Sequence, residues 1–201
     1  MNYLYFLFLP VIYLIYSGYH VTKFSLVTRN AFLDVADVFP IVLIPFFAYK
    51  PYAEIFLISC TLANVLLRPS VMLGGALYLL TYGFAGISII VEYWSLFSIS
   101  KFCIALILIL IPLTAALFKM KNDIPKMIGA SLYAIIALVP CLYSALFLKS
   151  LPESLGFLCL VLGDLTLILT ILNIVTKSWF LCISNCIFYT GLVLTPLALQ
   201  F

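Results

Sequence analysis

One carboxylic acid stands out in this sequence because of where it lies. Asp164 is near the middle of residues 151–175, a stretch with no other charged residue after Glu153. About 20 apolar residues cross a bilayer, so this stretch predicts a membrane helix with Asp164 near the midplane. An ionisable group at that depth typically marks a functional site. Its apolar helical neighbours favour the protonated carboxyl, which can act as a general acid. The alternative is a protonated aspartate that only hydrogen-bonds a neighbouring helix.

Polar side chains in three other apolar stretches are the next candidates. Asn64 lies in the first, Tyr78 and Tyr82 are one helical turn apart in the second, and Asn185 and Tyr189 are one turn apart in the third. Such groups either line a pocket or hydrogen-bond between helices, and an amide costs much less to bury than a charge. Both interpretations stay open at this point.

Small residues at helical spacing predict close helix contacts on two stretches. On residues 70–91 the set is Gly74, Tyr78, Thr81, Ala85 and Ser88. On residues 151–175 it is Gly156, Cys159, Gly163, Thr166, Thr170 and Asn173.

The composition is that of an integral membrane protein. Of the 201 residues, 66% are hydrophobic and 8% are charged, whereas a soluble domain has about 25% charged residues. The predicted fold is all-α, with one membrane domain over residues 1–201. The net charge of +3 is too small and too scattered to indicate nucleic-acid binding.

The hydropathy pattern predicts a bundle of about eight transmembrane helices with short loops. The predicted spans are residues 2–19, 36–49, 52–67, 70–91, 102–118, 127–148, 151–175 and 178–200. Bends are expected at Pro40, Pro45 and Pro140, and Pro112 lies inside the fifth span. The second and third spans are short, and alternatively form one re-entrant pair. The N-terminus lacks the features of a signal peptide, so we expect a retained helix there.

Lysine and arginine in the loops predict the orientation. One set of loops holds Lys23, Arg29, Arg68, Lys119, Lys121, Lys126 and Lys177, and the other holds Lys50, Lys101 and Lys149. The first set is expected in the cytoplasm, with both termini on the opposite side of the membrane.

Metal and cofactor sites are not predicted. All six cysteines lie in apolar segments, so a disulfide framework is not expected. His20, the single histidine, lies in a loop, which leaves too few ligands for a metal and no base for a serine triad. There is no glycine-rich phosphate loop.

The layout resembles the YhhN family of lysoplasmalogenase-like membrane proteins. Residues 155–164, Leu-Gly-Phe-Leu-Cys-Leu-Val-Leu-Gly-Asp, are similar to a late family motif that starts with Gly-Ala and ends with Ser-Asp or Ser-Asn. Tyr133 and the Ser144-Ala145 pair resemble the preceding family helix, and residues 186–189 resemble its terminal aromatic motif. Asn64 stands in the place of the family's first aspartate, and Thr81 in the place of its histidine.

The resemblance implies hydrolysis of the vinyl-ether bond of a lysoplasmalogen, which releases a fatty aldehyde and a glycerophospho-alcohol. It implies Asp164 as the general acid, and Asn64 at the second position of the catalytic pair, where an amide can orient water. The residues expected to line the substrate pocket are Thr81, Tyr82, Tyr78, Asn185 and Tyr189. The expected partner is a lysophospholipid or another membrane lipid, within the bilayer.

Two other functions stay open. One is a catalytically degenerate relative that binds lipid or scaffolds a membrane assembly. The other is a small transporter or channel, for which broken helices and paired midplane ions are expected.

Overall fold

The computed structural model describes residues 40–47, 49–67, 70–171 and 178–201. Within these ranges the chain is helical and contains no strand, which confirms the all-α prediction for this part of the sequence. Seven α-helices are present in it. They are α1 Pro51–Leu67, α2 Val71–Glu92, α3 Ile99–Lys119, α4 Ile124–Tyr133, α5 Val139–Phe147, α6 Leu151–Ile171 and α7 Ser178–Ala198. A π-helical turn, Ala134–Leu138, makes α4 and α5 continuous, and short 3₁₀ turns occupy Ile44–Phe47 and Trp94–Leu96.

The helices follow the third to eighth predicted spans. In the second predicted span, residues 40–42 are helical, and the 3₁₀ turn Ile44–Phe47 follows after Leu43, at the place where a bend at Pro45 is expected. Several predictions lie outside the described residues. They are the first span, residues 36–39 of the second, His20, Lys23, Arg29, Arg68 and Lys177.

Three helices are long and apolar enough to cross a membrane, which indicates a membrane protein. They are Met72–Glu92, Ile99–Lys119 and Ile124–Phe147, and the shorter apolar helices Pro51–Leu67 and Ile183–Ala198 accompany them. Large apolar side chains of α3 are exposed, as expected for a helix that faces lipid. They include Ile104, Ile107, Leu108, Ile111 and Phe118.

Five helical segments close a ring around the core. α1 packs against α2 and α7, α2 packs against α5 and the π turn, α5 packs against α6, and α6 packs against α7. α3 lies against α5, outside this ring. The interior of the ring is therefore the place where side chains from all five segments can meet.

The π turn follows from the position of Pro140. Proline has no N–H, so the carbonyl of Ile136 loses its usual helical donor. In the turn that precedes it, the N–H of Val139 donates to the carbonyl of Ala134, five residues back. The backbone of α2 comes close here at Gly83, where an added Cβ would lie 3.0 Å from the Ile136 oxygen. The bend expected at Pro140 thus takes the form of a π turn, and this turn lies where α2 packs against the start of α5.

Glycines allow α6 and α7 to touch backbone to backbone. An added Cβ would lie 2.7 Å from the Thr195 nitrogen at Gly156, 2.7 Å from the Phe188 Cα at Gly163, and 2.6 Å from the Leu160 nitrogen at Gly191. The hydroxyl of Thr166 on α6 lies 2.6 Å from the hydroxyl of Ser184 on α7, and this hydrogen bond joins the same two helices. The close packing predicted for this stretch is confirmed at Gly156, Gly163 and Thr166, whereas the side chain of Thr170 and all of Asn173 lie outside the described residues.

Candidate functional site in the helical ring

Polar side chains from three helices of the ring and from the end of α4 meet in the interior of the ring. Asn64 comes from α1, Tyr78 and Tyr82 from α2, Tyr133 from the last position of α4, and Asp164 from α6. We call these five residues the Asp164 cluster. α7 completes the surroundings with Phe188, whose ring centroid lies 5.8 Å from that of Tyr78.

Asp164 is buried inside the ring, with only 5% of its surface exposed. Its Oδ2 accepts a hydrogen bond from the hydroxyl of Tyr133. Tyr133 directly precedes the π turn, and π turns often occur at functional sites. The acid predicted from the sequence therefore faces other helices and has a polar partner there.

Asn64 occupies the opposite end of the cluster. It is 6% exposed, and its Oδ1 accepts a hydrogen bond from the hydroxyl of Tyr78. The ring centroids of Tyr78 and Tyr82 are 5.2 Å apart, and those of Tyr82 and Tyr133 are 6.5 Å apart. A continuous series of contacts thus runs from the Asn64 amide through three tyrosines to the Asp164 carboxyl.

The hydroxyl of Tyr82 is a further polar group between Asn64 and Asp164. Tyr82 is fully buried, and its hydroxyl has no hydrogen-bond partner among the described residues. An unsatisfied buried polar group costs about 1–3 kcal/mol, so this hydroxyl is a natural place for water or a ligand oxygen to bind. It also lies within electrostatic reach of Asp164.

Two thiols border the site. Cys60 on α1 and Cys141 on α5 are fully buried and lie within electrostatic reach of Asp164. The thiol of Cys141 donates to the backbone carbonyl of Tyr82 over 3.4 Å. This contact ties α5 to α2 beside the cluster. The sequence places these two cysteines in apolar segments, but their spacing along the chain does not predict that they lie near Asp164.

The other predicted pocket residues lie at different distances from the cluster. Tyr189 is buried, with its ring centroid 5.4 Å from that of Phe188, which contacts Tyr78. Thr81 is buried, but its hydroxyl donates to the carbonyl of Leu77 over 2.7 Å, within its own helix. Asn185 is half-buried, and no hydrogen bond joins it to the cluster in the described part of the chain.

A second carboxylate does not lie beside Asp164 among the described residues. Glu54, on the same helix as Asn64, accepts a hydrogen bond of 2.9 Å from the backbone N–H of Tyr49 at the start of α1. Ten residues of α-helix separate it from Asn64, about 15 Å along the axis. The site therefore has the chemistry of one carboxyl group, one amide and three phenols. No group of three or more metal-ligating side chains occurs in the ranges that the structure describes.

Comparisons with protein-family models, with curated proteins and with solved structures found no match for this chain.

Proposed function

We propose that this protein is a lysoplasmalogenase-like hydrolase of the YhhN type, which cleaves the vinyl-ether bond of a lysoplasmalogen with Asp164 as the general acid. The observation that carries the proposal is the buried carboxyl of Asp164, hydrogen-bonded to Tyr133 and connected through the tyrosine rings to Asn64. The cluster combines a proton donor with the Tyr82 hydroxyl, which can bind a water molecule, inside a membrane protein.

The location of Asp164 suits an acid catalyst. An apolar site favours the neutral carboxyl, and a neutral carboxyl holds the proton that the reaction consumes. Aromatic rings attract cations, so the tyrosine rings of the cluster can stabilise a developing positive charge. The oxocarbenium-like centre of vinyl-ether cleavage is such a charge.

The reaction balances with water as the only co-substrate. The proton of the Asp164 carboxyl moves to the vinyl carbon remote from the ether oxygen, and the electron pair of the double bond forms the new C–H bond. A water oxygen then bonds to the carbon beside the ether oxygen and gives a proton back to the Asp164 carboxylate. The resulting hemiacetal loses its C–O bond to glycerol as the hemiacetal proton passes to the leaving oxygen. The products are a fatty aldehyde and the glycerophospho-alcohol.

In this proposal, Tyr82 and Asn64 bind and orient the water molecule that attacks the carbon beside the ether oxygen. The Tyr82 hydroxyl has hydrogen-bonding capacity to spare among the described residues. The Asn64 amide, whose oxygen accepts from Tyr78, is the other group that can orient water. Neither group is a strong base, so the carboxylate left after proton transfer is the base for the water.

In this proposal the chain forms a bundle of about eight membrane helices, with both termini on the non-cytoplasmic side. The substrate is a lysophospholipid or a related membrane lipid that enters from the bilayer. The chemistry requires no cofactor or metal.

The test compares two lipids that differ in one double bond. The purified full chain is incubated with a vinyl-ether lysophospholipid or with its saturated alkyl-ether analogue, and trapped aldehyde is measured by mass spectrometry. We expect aldehyde from the vinyl ether alone, because the alkyl ether has no carbon–carbon double bond whose electron pair could accept the proton at carbon. Aldehyde from both lipids would contradict acid-catalysed vinyl-ether cleavage.

A second candidate function is lipid binding without turnover, or scaffolding of a membrane assembly. The observation in its favour is Asn64, an amide where the related catalytic pair would have a second carboxylate, and one whose oxygen already accepts from Tyr78. The same experiment separates the two functions. Vinyl-ether lipid that stays bound and intact supports the binding protein and rejects the hydrolase.

A further inference from the structure

A second candidate site lies at one end of the ring, where α1 begins and α2 ends. It is a pocket of about 210 Å³, lined by Tyr52 from α1, by Phe84, Ser88 and Glu92 from α2, and by Phe201 near the end of α7. Phe84 lies on a different face of α2 from Tyr78 and Tyr82, because two or six residues of helix do not return to the same side. The pocket is therefore separate from the Asp164 cluster.

Aromatic rings form its walls. The rings of Tyr52 and Phe84 are stacked, with centroids 5.6 Å apart and an interplanar angle of 12°. The ring of Phe201 is tilted by 44° against Tyr52, with centroids 4.8 Å apart. Together the three rings make an apolar corner. Quaternary ammonium groups bind in aromatic surroundings, where their methyl groups contact the rings.

The charged group beside these rings is the carboxylate of Glu92, which lies at a helix end that disfavours an acid. Glu92 is the last residue of α2, and the last turn of that helix carries no basic residue. The C-terminal end of a helix has partial negative charge, so it favours a cation and disfavours an acid. No ion pair to Glu92 occurs in the part of the chain that the structure describes. A cation in the pocket would neutralise both the carboxylate and the helix end.

We propose that this pocket binds the alkylammonium group of a phospholipid headgroup. The three rings would contact the methyl or methylene groups of the ammonium, and Glu92 would supply the counter-charge. The position favours a lipid as the source. Glu92 ends one of the candidate membrane spans, and Tyr93 and Trp94 follow it, which are residue types enriched at membrane interfaces.

The test measures which headgroup the full chain retains. The purified protein is equilibrated with equal amounts of phosphatidylcholine and phosphatidylglycerol, and the bound lipids are counted by native mass spectrometry. We expect at least a fivefold preference for phosphatidylcholine. Glu92→Gln and Tyr52→Leu should each lower it to near one. Glu153→Gln is the matched control, because it removes a carboxylate at the start of α6 and should keep the preference.

Titration with choline chloride distinguishes a lipid headgroup from a free ammonium compound. If the lipid is the ligand, choline alone binds more weakly than phosphatidylcholine, and both lose affinity in Glu92→Gln. Stronger binding of free choline would assign the pocket to a soluble ammonium ligand instead and would overturn the lipid assignment. Absence of a headgroup preference, or an unchanged preference in Glu92→Gln, would overturn the site. The Asp164→Asn variant should keep the preference whether or not the protein is a hydrolase.

Discussion

Replacing Asp164 by asparagine should lower the rate of aldehyde release at saturating vinyl-ether lipid by at least about 100-fold, since general acids contribute on the order of 10²–10⁴ to a rate. The amide has nearly the shape of the carboxyl, and its oxygen can still accept from Tyr133. It has no acidic proton to deliver to carbon. The variant should therefore fold and bind lipid, but lose turnover. The measurement is initial rate together with lipid retention in the same preparation.

Asp123→Asn makes the same chemical change outside the ring. Asp123 caps α4 by accepting a 3.2 Å hydrogen bond from the backbone N–H of Lys126. Hydrogen bonding to the Lys126 side chain holds the pKa of this carboxyl below its usual value. Asparagine caps helices about as well as aspartate, so this variant should keep the wild-type rate. Equal losses in both variants, or a rate above one tenth of wild type in Asp164→Asn, would remove Asp164 from the chemistry.

Gly163→Ala should destabilise the protein, because an added methyl group would lie 2.7 Å from the Cα of Phe188. The nearest atoms include the backbone of α7, which cannot move aside as a flexible side chain could. Overpacking of this kind costs about 1–3 kcal/mol. We expect the thermal unfolding midpoint in detergent to fall by several degrees. The activity should fall as well, because the neighbouring residue is Asp164.

Gly75→Ala provides the matched control for this prediction. Gly75 lies inside α2, and an added Cβ would meet nothing within 4 Å. Alanine is favoured over glycine in a helix by about 1 kcal/mol, so this variant should be as stable as the wild type or more so. If the two variants melt at the same temperature, the close contact of α6 with α7 does not contribute to stability as argued.

Much of the helical frame and part of the site were predictable from the sequence. Hydropathy predicted α1 and α2 almost at their observed bounds. A long apolar run in a membrane must form a helix to satisfy its backbone hydrogen bonds, and prolines and charged residues mark the ends of these two runs. Asp164 and Asn64 were singled out by the cost of burying them. Both are buried, as are Tyr78 and Tyr82, whereas the substrate pocket expected around them stays a prediction.

The role of Tyr133 was not predictable in the same way. The π turn after it inserts an extra residue into the helix and changes which side chains of α4 and α5 share a face. Helical periodicity taken from the sequence therefore gives the wrong phase across this turn. Thr81 shows a related limit. Its spacing predicts a pocket residue, but its hydroxyl donates a hydrogen bond to the carbonyl of Leu77. Hydropathy cannot predict whether a threonine hydroxyl bonds within its own helix or outside it.

The most direct test of acid catalysis in the Asp164 cluster is the isotope content of the product. The wild-type protein is equilibrated in D₂O, supplied with vinyl-ether lysophospholipid, and the aldehyde is trapped as it forms. Delivery of the acidic proton to carbon predicts one deuterium on the carbon next to the aldehyde carbonyl, and the loss of this product in Asp164→Asn. Aldehyde without deuterium at that carbon, or deuterated aldehyde formed equally well by Asp164→Asn, would contradict the assignment of Asp164 as the acid.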